Sequence, residues 1–379
     1  MKLLFISQAH KPEDQGGFMR AFTRSPYIAN GGEMRTIPFR GVIAEKGWNG
    51  LWKLIVDEAR AFQPDIVFFQ FFHGFDDNGV NPSECMNALR GLGSRPFVFA
   101  SLGDQYDAKF PFVRLPNHVL MAIGREADAF FTTSLGRFAK YLVMNNIRNI
   151  VFLPHAFGDG FLMERKRGDE RFSGLDVVMV GSCVPGLKLW SLRTLIKRRI
   201  AVNALWRRFG NRFAVFGRGW GHHPACRGEI AFGDQVRLFA SCKVAVDAPA
   251  PADVELYASD RPFYIAGSGA ALAMGRIKGF ERIFKEGEHV FYYDGLKDIV
   301  TACEKALSLN DDEREKNRLK MLELVKTRNM IDNRVDTIFS VAEALLADDV
   351  RKIRPWHFQG ELNPMTMEEL GVVNWQGAR

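Results

Sequence analysis

The first half of the chain alternates short apolar runs with amphipathic stretches. KLLFISQ (2–8) is a compact apolar strand, and EMRTIPF (33–39) is a second. DIVFFQFF (65–72) is apolar throughout, as expected of a strand buried on both faces of a parallel sheet. RPFVFASLGD (95–104), ADAFFTTS (127–134) and NIVFLPHA (149–156) complete the series. Between them, 48–62 carries apolar residues at helical spacing and stops at Gln63-Pro64. Residues 81–93 carry Pro82 near their start and close on Gly93, and 135–147 forms the helix before the last strand. This strand–helix rhythm predicts a parallel sheet with helices on both faces.

Residues 158–174 are polar, charged and glycine-bearing, and they read as a linker. The rhythm then restarts. Strands are predicted at 175–182, 212–220, 243–250 and 289–295, and helices at 189–210, 234–242, 296–309, 311–329 and 332–349. The stretch Tyr257 to Gly275 reads as a short helix running into a buried strand. The organisation expected is α/β: a Rossmann-like domain over 1–157, the linker, a second over 175–345, and a tail over 346–379 that packs back on the first. Two such halves are expected to face each other across a cleft. Ligands of open α/β sheets bind beyond the carboxyl ends of the strands, which directs attention to the loops there.

The short helix carries the best candidate chemistry. Ser259 and Asp260 suit an N-cap, Pro262 suits the first turn, and Gly267 and Gly269 end the helix. A helix start with Arg261 beside it favours phosphate through free N–H groups and the helix dipole. Gly181-Ser182 and Gly217-Arg218-Gly219 end strands, where glycine lets the backbone approach a phosphate and Arg218 can neutralise it. Neither is the dinucleotide G-x-G-x-x-G fingerprint. Asp104 follows a buried strand and is a candidate general base, and His155 is a second catalytic candidate.

Composition adds limits. The 379 residues, 47% hydrophobic and 25% charged, suit a globular protein of two domains, and the 32 Phe lie mostly in apolar runs that read as core. The net charge of +7 is diffuse and fits an anionic partner: nucleotide diphosphate, acidic glycan, lipid head group or nucleic acid. Five cysteines without paired spacing predict neither a disulfide framework nor a zinc site. The N-terminal apolar run is too short for a signal peptide, and no stretch approaches the roughly 20 residues of a bilayer span. The expected location is cytoplasmic, with peripheral contact at the inner face of a membrane as an open partner.

An ordered set of segments resembles the CgeB-like (spore-maturation-protein-like) glycosyltransferases of the GT-B type. It comprises PDIV (64–67), SLGD (101–104), ADAFFTTS, LPHAF, DVVMVGS (176–182), FAVFGRGW (213–220), CKVAVDAP (242–249), SDRPFYIAGSGAALAM (259–274), FKEGEHVFYYDGLKDIV (284–300) and NRVDTI (333–338). The resemblance implies a nucleotide-sugar donor in the second domain and a hydroxyl acceptor, such as a glycan or lipid-linked glycan, in the first, where Gly17 and His73 are acceptor-side candidates. It implies no metal and no other cofactor in the site. Such families place Arg, Phe and an acid at the helix start. Here the positions read Arg261, Phe263 and Tyr264, and a phenol cannot replace a carboxylate that accepts both ribose hydroxyls. Glu281, Glu286 or Glu288 would have to take that role, or the nucleotide is held differently, or the donor site is degenerate. Two rival readings stand beside sugar transfer to a glycan. One is transfer to a modified DNA base, with nucleic acid ranked lower because no basic, aromatic-laced stretch marks the first domain. The other is a non-catalytic binding protein on the same frame.

Overall fold

The computed structural model describes residues 1–72, 80–103, 118–161, 169–183, 189–248, 254–354 and 372–376. Its strands are β1 Lys2–Ser7, β2 Glu33–Pro38, β3 Ile66–Phe69, β4 Phe97–Leu102, β5 Ala129–Thr132, β6 Ile150–Phe152, β7 Val177–Val180, β8 Phe213–Phe216, β9 Val244–Asp247, β10 Ala271–Gly275, β11 Val290–Tyr293 and β12 Val372–Val373. Helices α1 Gly16–Arg24, α2 Pro26–Ala29, α3 Phe39–Phe62, α4 Ser83–Arg90, α5 His118–Glu126 and α6 Arg137–Met144 accompany the first six strands. Helices α7 Leu189–Phe209, α8 Phe232–Ser241, α9 Arg261–Ser268, α10 Ile299–Leu307, α11 Asp311–Arg328 and α12 Ile331–Ala347 follow.

The chain divides into two units. The first is Met1–Pro154 with Ile331–Arg379, and the second is His155–Met330. In the first, a seven-stranded sheet has the order β12-β6-β5-β4-β3-β1-β2, parallel except for β12. One face is covered by α3, α4 and α5 through Leu51, Ile55, Leu89 and Ile123. The other is covered by α1 and α12, where Phe5, Phe68 and Phe131 form a row with ring centroids 5.8 and 5.9 Å apart. The second unit has a five-stranded parallel sheet in the order β11-β10-β9-β7-β8. Helices α7 and α10 pack one of its faces through Val202, Leu205, Ile299 and Cys303.

Two domain boundaries differ from expectation. Helix α12 belongs to the first unit, because Ile338, Phe339 and Ala342 pack on the first sheet. Phe339 meets Phe22 at 5.9 Å and Tyr27 at 4.6 Å, and Arg24 is paired with Asp332 at 2.7 Å. Its apolar stripe was legible, but helical spacing does not say which sheet covers a stripe. The ends of 158–174 are part of the second unit: single 3-10 turns form at Asp159–Phe161 and Glu170–Phe172, and Phe172 lies edge-on to Phe216 at 5.9 Å. The tail contributes β12, with Val372 opposite Val151 and the Asn374 amide donating to the Ile147 carbonyl at 2.7 Å. Helix α3 starts well before 48 because two helical segments join across a kink at Gly47, whose φ is +68°. Helix α5 escaped the sequence reading altogether. None of the five cysteines is in a disulfide.

Phe339→Ala should cost ~3–5 kcal/mol, the range for emptying a buried aromatic site. Hydrogen exchange should then show lost protection in β1 and β3, with β7 and β9 unchanged. Loss confined to β7 and β9 would contradict the assignment of α12 to the first unit.

Candidate functional site

The second sheet starts in its interior. From β7 the chain goes to β8 on one side, then to β9, β10 and β11 on the other. The connections after β7 and β9 therefore lead to opposite sides of the sheet, the kind of switch point at which open α/β sheets bind ligands. Gly181 and Ser182 follow β7, and Asp247 closes β9.

Asp247 is the most buried charged group there, with 0% of its side chain exposed. Arg261, the first residue of α9 and 16% exposed, donates through Nη1 to Asp247 Oδ1 at 2.8 Å. Burial pushes the Asp247 carboxyl up from its ordinary range, and the positive charges of Arg261 and then Arg198 pull it back. Asp247 Oδ2 is buried with no hydrogen-bond partner among the described residues. Buried carboxylate oxygens are ordinarily satisfied, so this one is an acceptor available at the crest of the sheet. Tyr293 closes the cluster from β11 by donating its hydroxyl to the Asp247 carbonyl at 2.9 Å.

Arg198 comes from the middle of α7 and donates through Nη1 to the Ser182 carbonyl at 2.7 Å. Nothing in the local sequence pattern singles out Arg198. It is thus a site residue that sequence reasoning missed, and the available signal was a helix with several arginines and no carboxylate. The loop after β7 is pinned from two further directions. Trp220 Nε1 donates to the Gly181 carbonyl at 2.7 Å, and the Cys183 amide donates to the Arg218 carbonyl at 2.7 Å. Gly217 lies against this loop with φ +141°, where a Cβ would stand 2.6 Å from the Gly181 oxygen. That close approach requires glycine.

The start of α9 differs from the expected anion site. Asp260 occupies the N-cap position, but its side chain makes no capping hydrogen bond. Pro262 has no N–H, and the Phe263 amide is used by the Asp260 carbonyl at 3.1 Å. The helix start therefore offers fewer free donors than its sequence suggested, and most of the positive potential comes from the two guanidinium groups. Ser259 Oγ is buried without a hydrogen-bond partner among the described residues. Gly269, with φ +84°, ends the helix. Gly267 lies inside it, where a Cβ would stand 2.4 Å from the Phe157 ring.

Tyr264 does not face a ligand with its ring. It is 8% exposed and packs between Phe157 and Phe232, at centroid distances of 5.1 and 5.0 Å. Burial raises its phenol well above the ordinary value, and a hydrogen bond with the Gly158 backbone holds the hydroxyl. Of the three glutamates, Glu286 is paired with Arg276 at 2.8 Å and Glu288 with Lys320 at 3.3 Å. Glu281 is exposed on a 3-10 turn after β10.

The other candidates are distributed as follows. The Arg218 side chain is 70% exposed and pairs with Glu229 at 2.8 Å, so its carbonyl serves the β7 loop while its charge points elsewhere. Gly219, with φ +82°, forms the turn beyond it. Gly17 lies in the first turn of α1, and a Cβ there would stand 2.6 Å from Ile331 Cδ1; its small size serves the packing of α12. His155, expected in the first domain, is half-buried and is the first residue of the second unit. Asp104 and His73 lie outside the described residues.

The comparisons agree with this architecture. A profile described as "Glycosyl transferase-like" matches residues 193–340. No curated protein sequence matches the chain. Among solved structures, Anabaena HepE in complex with UDP and glucose is similar at TM-score 0.57 and 13% identity, over 92% of this chain and 100% of that one. An alpha-glucosyltransferase in complex with UDP-glucose and DNA containing an abasic site is similar at TM-score 0.62 and 12% identity, over 90% and 99%. A glycosyltransferase from Rickettsia africae gives TM-score 0.58 and 11% identity, over 92% and 99%. The fold is GT-B, two Rossmann-like units. The glycosyl transferase-like match covers residues 193–340, and the solved structures share the two-unit fold.

Asp247→Asn would leave Arg261 buried beside a neutral amide and should lower stability by ~3–5 kcal/mol, the cost of breaking a buried pair. Urea unfolding measures it, and a change under 1 kcal/mol would show the pair to be weakly coupled. Tyr264→Phe removes one hydrogen bond from a packed ring and should cost ~1 kcal/mol in the same measurement.

Proposed function

We propose that this protein transfers a sugar from a nucleoside-diphosphate sugar to a hydroxyl acceptor, a glycan or lipid-linked glycan first. The observation that carries the reading is the cluster of Arg261 and Arg198 around buried Asp247 at the switch point of the second sheet. Two guanidinium groups beside a glycine-bearing loop provide charge-assisted donors suited to a diphosphate. The match of Arg261 and Phe263 to the CgeB-like pattern supports the same placement. Uridine nucleotides are the first donors to test, because similar folds have been solved with UDP and UDP-glucose.

As the bond between the anomeric carbon and the diphosphate oxygen breaks, negative charge grows on the leaving group. Arg261, Arg198 and the positive end of α9 stabilise it, and the reading needs no metal. The acceptor hydroxyl gives up its proton to a base, for which Asp104 is the first candidate and His155 the second. With the Tyr264 hydroxyl held by Gly158, the ribose requires another acceptor, and Glu281 is the nearest in the chain pattern. A DNA acceptor is the second reading, favoured by the similarity to the alpha-glucosyltransferase solved with DNA.

A thermal-shift panel of nucleotides and nucleotide sugars tests the proposal. A true donor at about 100 times its Kd should stabilise the protein by ~2.7 kcal/mol. No stabilisation by any nucleotide at millimolar concentration would sink it. Arg261→Ala should weaken nucleotide binding by tenfold or more, equivalent to ~1.4 kcal/mol; unchanged affinity would remove Arg261 from the phosphate site. Glucosylation of hydroxymethylated DNA, with none of glycan acceptors, would favour the second reading.

A further inference from the structure

Helix α7 has a face that the donor site does not use. Ile196, Arg199, Ile200, Asn203 and Arg207 are all exposed, and their spacing places them along one side of the helix. Ile196 is 57% and Ile200 48% exposed, and they are one turn apart. The other large apolar side chains recorded as exposed, among them Met144, Phe232 and Leu346, lie on separate elements. The helix sequence contains no Asp or Glu. Arg198 is turned toward Ser182 and Arg208 toward Glu304, so both are accounted for elsewhere. Lys197, Arg199 and Arg207 appear in no ion pair among the described residues.

The contrast with α11 is instructive. That helix, DDEREKNRLKMLELVKTR, mixes both signs and pairs Arg318 with Glu315 along its own surface, as a solvated helix does. Helix α7 instead combines one sign of charge with two branched apolar side chains on its exposed face. This is the composition of an interfacial helix, whose apolar residues enter the acyl boundary while basic residues meet anionic head groups. Nucleic acid would engage the charge but would find no use for two adjacent isoleucines.

We infer that the outer face of α7 docks the protein on an anionic lipid surface, with Ile196 and Ile200 inserted and Arg199 and Arg207 against the head groups. The protein rests on the surface by this helix; no helix among the described residues is long and apolar enough to cross a membrane. The inference does not depend on the sugar-transfer reading.

Vesicle sedimentation of the full chain tests it. Binding should be strong with phosphatidylcholine–phosphatidylglycerol vesicles, weak with phosphatidylcholine alone, and weakened by salt. Each basic residue at an anionic surface is worth about fivefold in partition, so Arg199→Gln/Arg207→Gln should lose about 25-fold. Ile196→Ser/Ile200→Ser should lose tenfold or more while melting as the parent protein does. Equal sedimentation with both vesicle types would overturn the proposal. So would Ile196→Ser/Ile200→Ser binding anionic vesicles as the parent does, and duplex DNA binding abolished by the basic substitutions would then assign the face to nucleic acid.

Discussion

The Asp247–Arg261 pair is the interaction on which the second unit's crest depends. A carboxylate with no solvent access is tolerated only beside a compensating charge, and Arg261 supplies it at 2.8 Å. The pair ties the end of β9 to the start of α9, so the chain returning after Asp247 must bring Arg261 back over the sheet. Tyr293 holds the same strand end from β11, and Arg198 adds positive charge from α7. Under the proposed function, a donor diphosphate would meet guanidinium groups whose positions are already set. That is electrostatic preorganisation rather than attraction by mobile surface charge.

Charge and packing are also separated at the start of α9: Arg261 faces Asp247, while Tyr264, where the resembled pattern has an acid, is a packed aromatic. Tyr264 is wedged between Phe157 and Phe232, and the small Gly267 lets the Phe157 ring lie against α9. This aromatic cluster stabilises the helix that carries Arg261. Tyr264 therefore has a packing role of its own in place of an acid.

Charge on the second unit is likewise divided by direction. Along α7, Arg198 serves the β7 loop, Arg208 pairs with Glu304, and the outer face keeps its own basic and apolar residues. One helix can support two surfaces because its period of about 3.6 residues points neighbouring side chains different ways. A run such as Lys197-Arg198-Arg199 reads as a single patch in one dimension and separates in three.

Local pattern determined a great deal. Continuous apolar runs such as 65–72 marked the buried parallel strands, the repeated strand–helix rhythm marked two Rossmann-like halves, and Asp260 to Gly269 marked a short helix feeding a strand. Those features are set by side-chain period and turn chemistry within a few residues, which is information a sequence carries directly. Tertiary structure decided what depends on distant partners. It assigned α12 to the first sheet, turned Arg218 out to Glu229 and Arg198 in to Ser182, buried Tyr264, and made Asp247 the partner of Arg261. In each case the deciding contact reaches beyond a single helical turn or tight turn, and neither composition nor spacing specifies which of several compatible partners a side chain will meet.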